Sequence, residues 1–255
     1  MPVVEVGQKV WIPASRIGVG GIVPSALVER TVLQKSKRSI TVDTINGKSE
    51  TISTKLVHAH AGIAIIRIGD LASEATLLDP LAKSVLQFCR LLMPDDFVRL
   101  YSVRTEQEID AIWNRDSNGY RHVILVGHGG EAGIKLFAKD DWLSHDRLRE
   151  ILFECSSIPK IVISLCCSTG KTAFAKRFSS HEMCEAFIAP FRSVHGADAS
   201  RFTQEFLAYA LLDGATTITA FKKAEKSIGP GRDFCFWQNG HTEKKIKKKK
   251  KKVVV

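Results

Sequence analysis

Two short apolar runs, rich in β-branched residues, constrain this chain most. The first is His122-Val123-Ile124-Leu125-Val126, followed by Gly127-His128-Gly129-Gly130. The second is Lys160-Ile161-Val162-Ile163-Ser164-Leu165, followed by Cys166-Cys167-Ser168-Thr169-Gly170. Runs this short, bounded by glycine, read as strands buried on both faces, which is the pattern of a parallel sheet. Parallel strands need crossover helices, and the sequence supplies them from residue 62 onward. Gly62–Ile68 reads as a strand. Asp79 is placed to cap a helix with Pro80 at its first position, and Pro94 follows its end. Residues 98–103 form the second strand. Thr105 and Glu108 make a capping box for a helix with Ile109, Ile112 and Trp113 on one face. Residues 122–127 are the third strand. Ser144 caps the next helix, with Leu143 and Leu148 at staple spacing and Leu148, Ile151, Leu152 and Cys155 as its apolar stripe. Residues 160–166 and 187–191 read as the fourth and fifth strands. A helix over 199–212 ends at Gly214, and residues 234–237 read as a sixth strand at the edge. The alternation predicts an α/β domain with a mainly parallel sheet flanked by helices.

Residues 1–60 follow a different rhythm. Residues 10–13, 26–33, 39–45 and 49–53 read as short strands, and Asn46-Gly47 is a two-residue hairpin signal. That pattern resembles a small SH3-like barrel. The expected organisation is therefore a barrel over 1–60, an α/β domain over 61–242 and a tail over 243–255.

The tail dominates the charge. Its eight lysines and one glutamate carry +7 of the formal +10, leaving +3 on the other 242 residues. A like-charge block cannot pack, so the sequence predicts a disordered, solvated tail. Such a block also suits contact with nucleic acid or an anionic membrane, as a secondary reading. The body is close to neutral, so bulk charge does not select an acidic partner. No apolar stretch approaches the ~18 residues of a membrane-spanning helix. The N-terminus lacks the basic and apolar regions of a secretory signal. With six cysteines and no Cys-x-x-Cys spacing, the expectation is a reduced, cytoplasmic protein. Cys89 and Cys155 fall on apolar helix faces and read as inert core residues.

Chemistry gathers at the carboxyl ends of strands in open α/β sheets, and two such ends here carry an imidazole and a thiol. A cysteine nucleophile needs a nearby base to hold it as thiolate or to take its proton. His128 and Cys167 fill those roles. Cys166 is the rival thiol, but neighbouring strand residues point to opposite faces, so only one of the pair can face His128.

Other chemistries fit less well. Gly170-Lys171-Thr172 has the end of a phosphate-binding loop, but the glycine such a loop needs five residues earlier is Leu165. A phosphatase Cys-x5-Arg loop fails because Thr172 and Ala173 stand where arginine is required. His58, His60 and His122 lack metal-ligand spacing. No metal and no cofactor is expected.

The strand ending in His128-Gly129, followed by a strand ending in Cys167-Ser168-Thr169-Gly170, resembles the caspase-like cysteine peptidases of the CHAT and separase-like branch. The run Asp198-Ala199-Ser200-Arg201-Phe202, then Phe206, Tyr209 and Gly214, is similar to that branch as well. The family's tryptophan near this point is replaced by Phe191, and the loop at His195-Gly196-Ala197 is longer. The resemblance implies a protein substrate attacked by Cys167, with His128 protonating the leaving amine. The N–H groups of Gly129 and Cys167 would form the oxyanion hole. It implies that Asp198 reads a basic side chain before the scissile bond, with Asp140 and Asp141 as weaker acids. The plainer role for Asp198 is a helix N-cap. The resemblance further implies bacterial regulated proteolysis or defence-linked cell death, and an activating protein partner. The alternative is a catalytically silent caspase-like scaffold whose barrel binds a partner.

Overall fold

A computed structural model describes residues 4–17, 27–44, 47–58, 61–69, 71–137, 141–229 and 234–243. Its centre is a seven-stranded sheet. The strands are β5 (Gly62–Ile68), β6 (Val98–Val103), β7 (Tyr120–Val126), β10 (Lys160–Ser164), β11 (Cys184–Pro190), β12 (Phe234–Gln238) and β13 (His241–Thr242), in the order β13-β12-β11-β10-β7-β5-β6. The five strands from β11 to β6 are parallel, and β12 and β13 add antiparallel pairing at one side. The sixth strand read from the sequence is therefore inside the sheet, with β13 outermost. Every residue of β5 and β10 is buried, as continuous apolar runs in a two-sided sheet require.

Two helix layers cover the sheet. Helices α2 (Asp79–Leu92), α6 (Gly196–Leu211) and α7 (Thr217–Ile228) pack together in one, and α3 (Glu106–Asp116), α4 (His145–Phe153) and α5 (Thr172–Phe178) in the other. Aromatic rings fill both interfaces. Phe153, Phe174, Phe178 and Phe187 form one cluster, and Phe202 stacks on Phe234 at 4.0 Å between centroids. Among the described residues, no helix is long and apolar enough to cross a membrane.

Local signals explain most helix starts. Thr105 and Glu108 form both bonds of the capping box of α3, and Ser144 accepts from Arg147 N–H at 3.3 Å to cap α4. Three expectations need correction. Asp79 caps nothing: a short turn, α1 (Leu71–Ser73), continues through a π-helical turn (Glu74–Leu78) into α2, and the Asp79 carboxylate accepts from Arg67 and Lys83 instead. Cys155 lies beyond the end of α4 and is exposed, because the helix stops before it reaches the apolar stripe's next turn. Helix α6 begins at Gly196, with His195 as its cap, so Asp198 sits within the first turn and is not the N-cap.

The N-terminal region is a four-stranded antiparallel sheet, β1 (Lys9–Pro13), β2 (Leu27–Lys35), β3 (Ser39–Asp43) and β4 (Ser49–Ser53). It has its own small core of Val10, Ile12, Ile17, Val32, Ile40, Val42, Ile52 and Val57. Trp11 and Leu27 belong instead to the main core, and the Trp11 backbone bridges to His58. The β3–β4 turn is longer than a two-residue hairpin. Thr44 N–H donates to Lys48 O at 2.8 Å, Gly47 N–H to Thr44 O at 3.1 Å, and Gly47 takes φ +68°. Asn46, His60, Asp140 and the lysine block at 244–252 lie outside the described residues.

Candidate active site

Strand register builds the site. Leu125 of β7 pairs with Ser164 of β10, and Leu165 N–H donates to Leu125 O at 2.8 Å. His128 and Cys167 stand three residues beyond that pair on their respective strands, so parallel pairing carries both to one level above the sheet. The chain turns outward differently after β5 and β7. From β5 it enters the layer of α2, and from β7 it reaches the layer of α4. The crevice between those two strand ends is the switch point of the topology, where doubly wound sheets hold their ligands.

Gly129 locks the two loops together. A Cβ there would collide with Cys167 O and lie 2.8 Å from Cys166 C and Cys167 N, so only glycine allows this approach. The His128 loop folds back on a two-stranded ribbon, β8 (Ile134–Lys135) with β9 (Trp142–Leu143). Lys135 N–H donates to His128 O at 2.9 Å, and Gly130 N–H to Gly133 O at 2.9 Å. Among the described residues, the N–H groups of Gly129 and Cys167 donate to no acceptor. Two N–H groups from loops in contact are thus available to a third party.

The cysteine loop is tied down on every side but one. Thr169 Oγ1 donates to Cys166 O at 2.8 Å and lies 2.8 Å from Ser164 Oγ, which accepts from Cys166 N–H at 3.2 Å. Ser168 N–H donates to Arg192 O at 3.3 Å, Gly170 N–H to Pro190 O at 2.9 Å, and Trp237 Nε1–H to Gly170 O at 3.1 Å. Ser168 takes φ +63°, a left-handed conformation that costs a non-glycine residue about 1 kcal/mol and persists only where the surroundings impose it.

The two thiols have different fates. Cys166 is fully buried, its Sγ directed to Leu125 O at 3.8 Å, and burial pushes its thiol up to about 12. Cys167 is half-buried, with Sγ 3.5 Å from Ser193 Oγ. His128 is half-buried, with Nε2 2.7 Å from Ser73 Oγ. The imidazole and the Cys167 thiol do not hydrogen-bond each other. Glu131 and Lys171 close one side with an ion pair at 2.6 Å, and the ammonium holds the Glu131 carboxyl below the usual carboxylate range. Lys171, which a phosphate loop would aim at its ligand, is therefore committed elsewhere. Asp198 is half-buried near the start of α6, which follows the loop carrying Ser193; Asp141 is exposed and its backbone carbonyl accepts from Leu136 N–H.

Ser73, Ser193 and the Glu131–Lys171 pair carried no sequence signal. Each meets its partner across 26 to 55 residues of chain, and an isolated serine has no periodicity to betray it. Among the described residues, no cluster of three histidine, cysteine or acidic side chains is arranged to hold a metal. No protein-family model matches the chain, and no curated protein shows significant similarity to it.

Proposed function

We propose that this chain is a caspase-like cysteine endopeptidase acting through His128 and Cys167 on protein substrates. The supporting observation is the register of β7 and β10, which levels the two residues while Gly129 presses against the Cys167 backbone. Cys167 Sγ attacks the scissile carbonyl carbon, and its proton passes to His128. The carbonyl oxygen, now an oxyanion, is received by the N–H groups of Gly129 and Cys167. As the C–N bond breaks, His128 returns the proton to the leaving amine. Water, deprotonated by His128, then hydrolyses the thioester and frees Cys167. Asp198 receives an arginine or lysine side chain before the scissile bond, since a guanidinium or ammonium entering a pocket needs a carboxylate partner. Among the described residues no disulfide joins the six cysteines, which suits a reducing cytoplasm. The N-terminal antiparallel sheet, with a core of its own, fits a small SH3-like barrel serving a partner.

A second reading is favoured by one observation: His128 and Cys167 bond to Ser73 and Ser193 and not to each other. That arrangement suits a silent scaffold, or a peptidase that a protein partner assembles. Titration with a peptide electrophile ending in arginine decides between them. Stoichiometric labelling of Cys167, lost in Cys167→Ala and kept in Cys166→Ala, supports the peptidase. Labelling of Cys166 alone overturns the choice of nucleophile. No labelling, with or without candidate partners, leaves the scaffold. Profiling with a peptide library tests the pocket: strict cleavage after aspartate, or an unchanged preference in Asp198→Ala, removes the role given to Asp198.

A further inference from the structure

The contact between Ser73 and His128 says more than proximity. Ser73 Oγ lies 2.7 Å from His128 Nε2, joining residues 55 apart in the chain. Ser73 ends α1, and the next residue opens the π-helical turn Glu74–Leu78. Such turns interrupt regular helix and often mark functional positions. This one is anchored from below. Arg67 on β5, with only 8% of its side chain exposed, donates to Glu74 Oε1 at 2.5 Å and to the Asp79 carboxylate. Arg104 donates to Glu74 Oε2 at 2.9 Å. Arg67 pairs in register with Val126, two residues before His128. The guanidinium therefore fixes the turn at the strand end where the imidazole emerges, and Ser73 sits directly beside the clamped Glu74.

A neutral imidazole has one N–H and one lone pair. The nitrogen that takes the thiol proton must keep its lone pair, so the other must carry the hydrogen and give it to an acceptor. Glu74 is the nearest carboxylate in sequence to Ser73, but two arginines occupy its oxygens. Among the described residues, the acceptor at Nε2 is the Ser73 hydroxyl oxygen. We propose that Ser73 is a positioning residue: its Oγ accepts from Nε2–H, fixes His128 as the Nε2–H tautomer and leaves Nδ1 to exchange the proton with Cys167. When the imidazole becomes imidazolium, Nε2–H still donates to Ser73, and the same bond strengthens as charge develops. The inference takes its catalytic meaning from the peptidase reading, while the tautomer it assigns can be observed without turnover.

Nitrogen-15 NMR of the full chain labelled at histidine, at alkaline pH where the ring is neutral, tests it directly. Wild type should show His128 as the Nε2–H tautomer, and Ser73→Ala should show a mixture with the melting temperature unchanged. In turnover of an arginine peptide, Ser73→Ala should lower kcat about tenfold with KM within about twofold, the scale of one lost hydrogen bond. Ser73→Thr, which keeps the hydroxyl, should restore most of it. An Nδ1–H tautomer in wild type, or one that is the same in Ser73→Ala, overturns the inference. So does unaltered kcat in Ser73→Ala, and the dyad then stands without it. If the tautomer shifts as expected but no peptide is turned over, Ser73 keeps its role and the peptidase reading falls.

Discussion

The two ends of the parallel sheet handle buried polarity in opposite ways. At the amino end, Lys160 is fully buried, yet its ammonium donates to Ser117 O at 2.5 Å and Tyr120 O at 2.7 Å and faces the Trp113 ring at 5.5 Å. Asp116, next in sequence to Ser117, takes bonds from Tyr101 at 2.6 Å and from Arg115 at 2.6 and 2.9 Å. Trp113 Nε1–H goes to Leu152 O at 2.9 Å. Donors and acceptors there are spent on one another, and the result is a closed structural knot. At the carboxyl end, the Gly129 and Cys167 N–H groups are unspent among the described residues, one serine backbone is strained, and a thiol and an imidazole are half-exposed. Polar groups left unspent where solvent and a ligand can reach them are what a binding or reacting site looks like.

The sharpest way to break this comparison is Cys167→Ala. Peptide turnover should fall by at least about a thousandfold while the melting temperature holds, because among the described residues the half-buried thiol has one hydrogen-bond partner, Ser193 Oγ at 3.5 Å. A large loss of stability would make the carboxyl end a knot like the other. Gly129→Ala comes next. Its methyl group meets backbone, which cannot yield as a side chain would, so the loops must part. Turnover should drop about a hundredfold through misplacement, with stability falling roughly 2–3 kcal/mol by denaturant titration.

At the other end, Lys160→Met should cost about 2–3 kcal/mol, because two buried carbonyls lose their donor, and turnover should be unchanged. Burial pushes the Lys160 ammonium from 10.5 down to about 7. Between those values the unfolded chain binds more protons than the folded one, so stability should rise as pH rises from 7. The Met variant should lose that slope, and a slope that survives would assign it to other groups. The smallest effect is Ser168→Gly. Relief of the positive φ should stabilise the fold by about 1 kcal/mol, whereas a glycine replacing a residue at the amino-end knot should only destabilise.

The same contrast explains what the sequence could tell. The strands β7 and β10 were legible because apolar runs have a length and a composition, and the α3 capping box was legible because its two residues are three apart. The start of α6 was not, since a histidine cap is chemically unusual and Asp198 offered a more conventional one. Helices α5 and α7 and the β8–β9 ribbon were missed: α5 is only seven residues long, and the ribbon strands have two residues each. Of the site, His128 and Cys167 stood out because each ends a run. Ser73 and Arg67 could not, because a serine in a short helical turn and an arginine inside a strand acquire meaning only when β5 and β7 lie side by side. The small N-terminal sheet announced its four strands by alternation and turns, but the closure of those strands is a matter of edges, which alternation does not encode.

Trp237 lies near the end of the described chain, yet its indole holds the carbonyl of Gly170, which closes the Cys167 turn. During synthesis the cysteine loop leaves the ribosome some 67 residues before the tryptophan that braces it. Until β12 arrives and pairs with β11, the turn lacks its last support and Ser168 has less reason to keep its strained backbone. A nascent chain therefore carries the Cys167 turn unbraced while those residues are made, and the turn is complete only when the sheet receives its antiparallel flank. Timing of this kind needs no inhibitor or cleavage event, because the order of residues along the polypeptide supplies it.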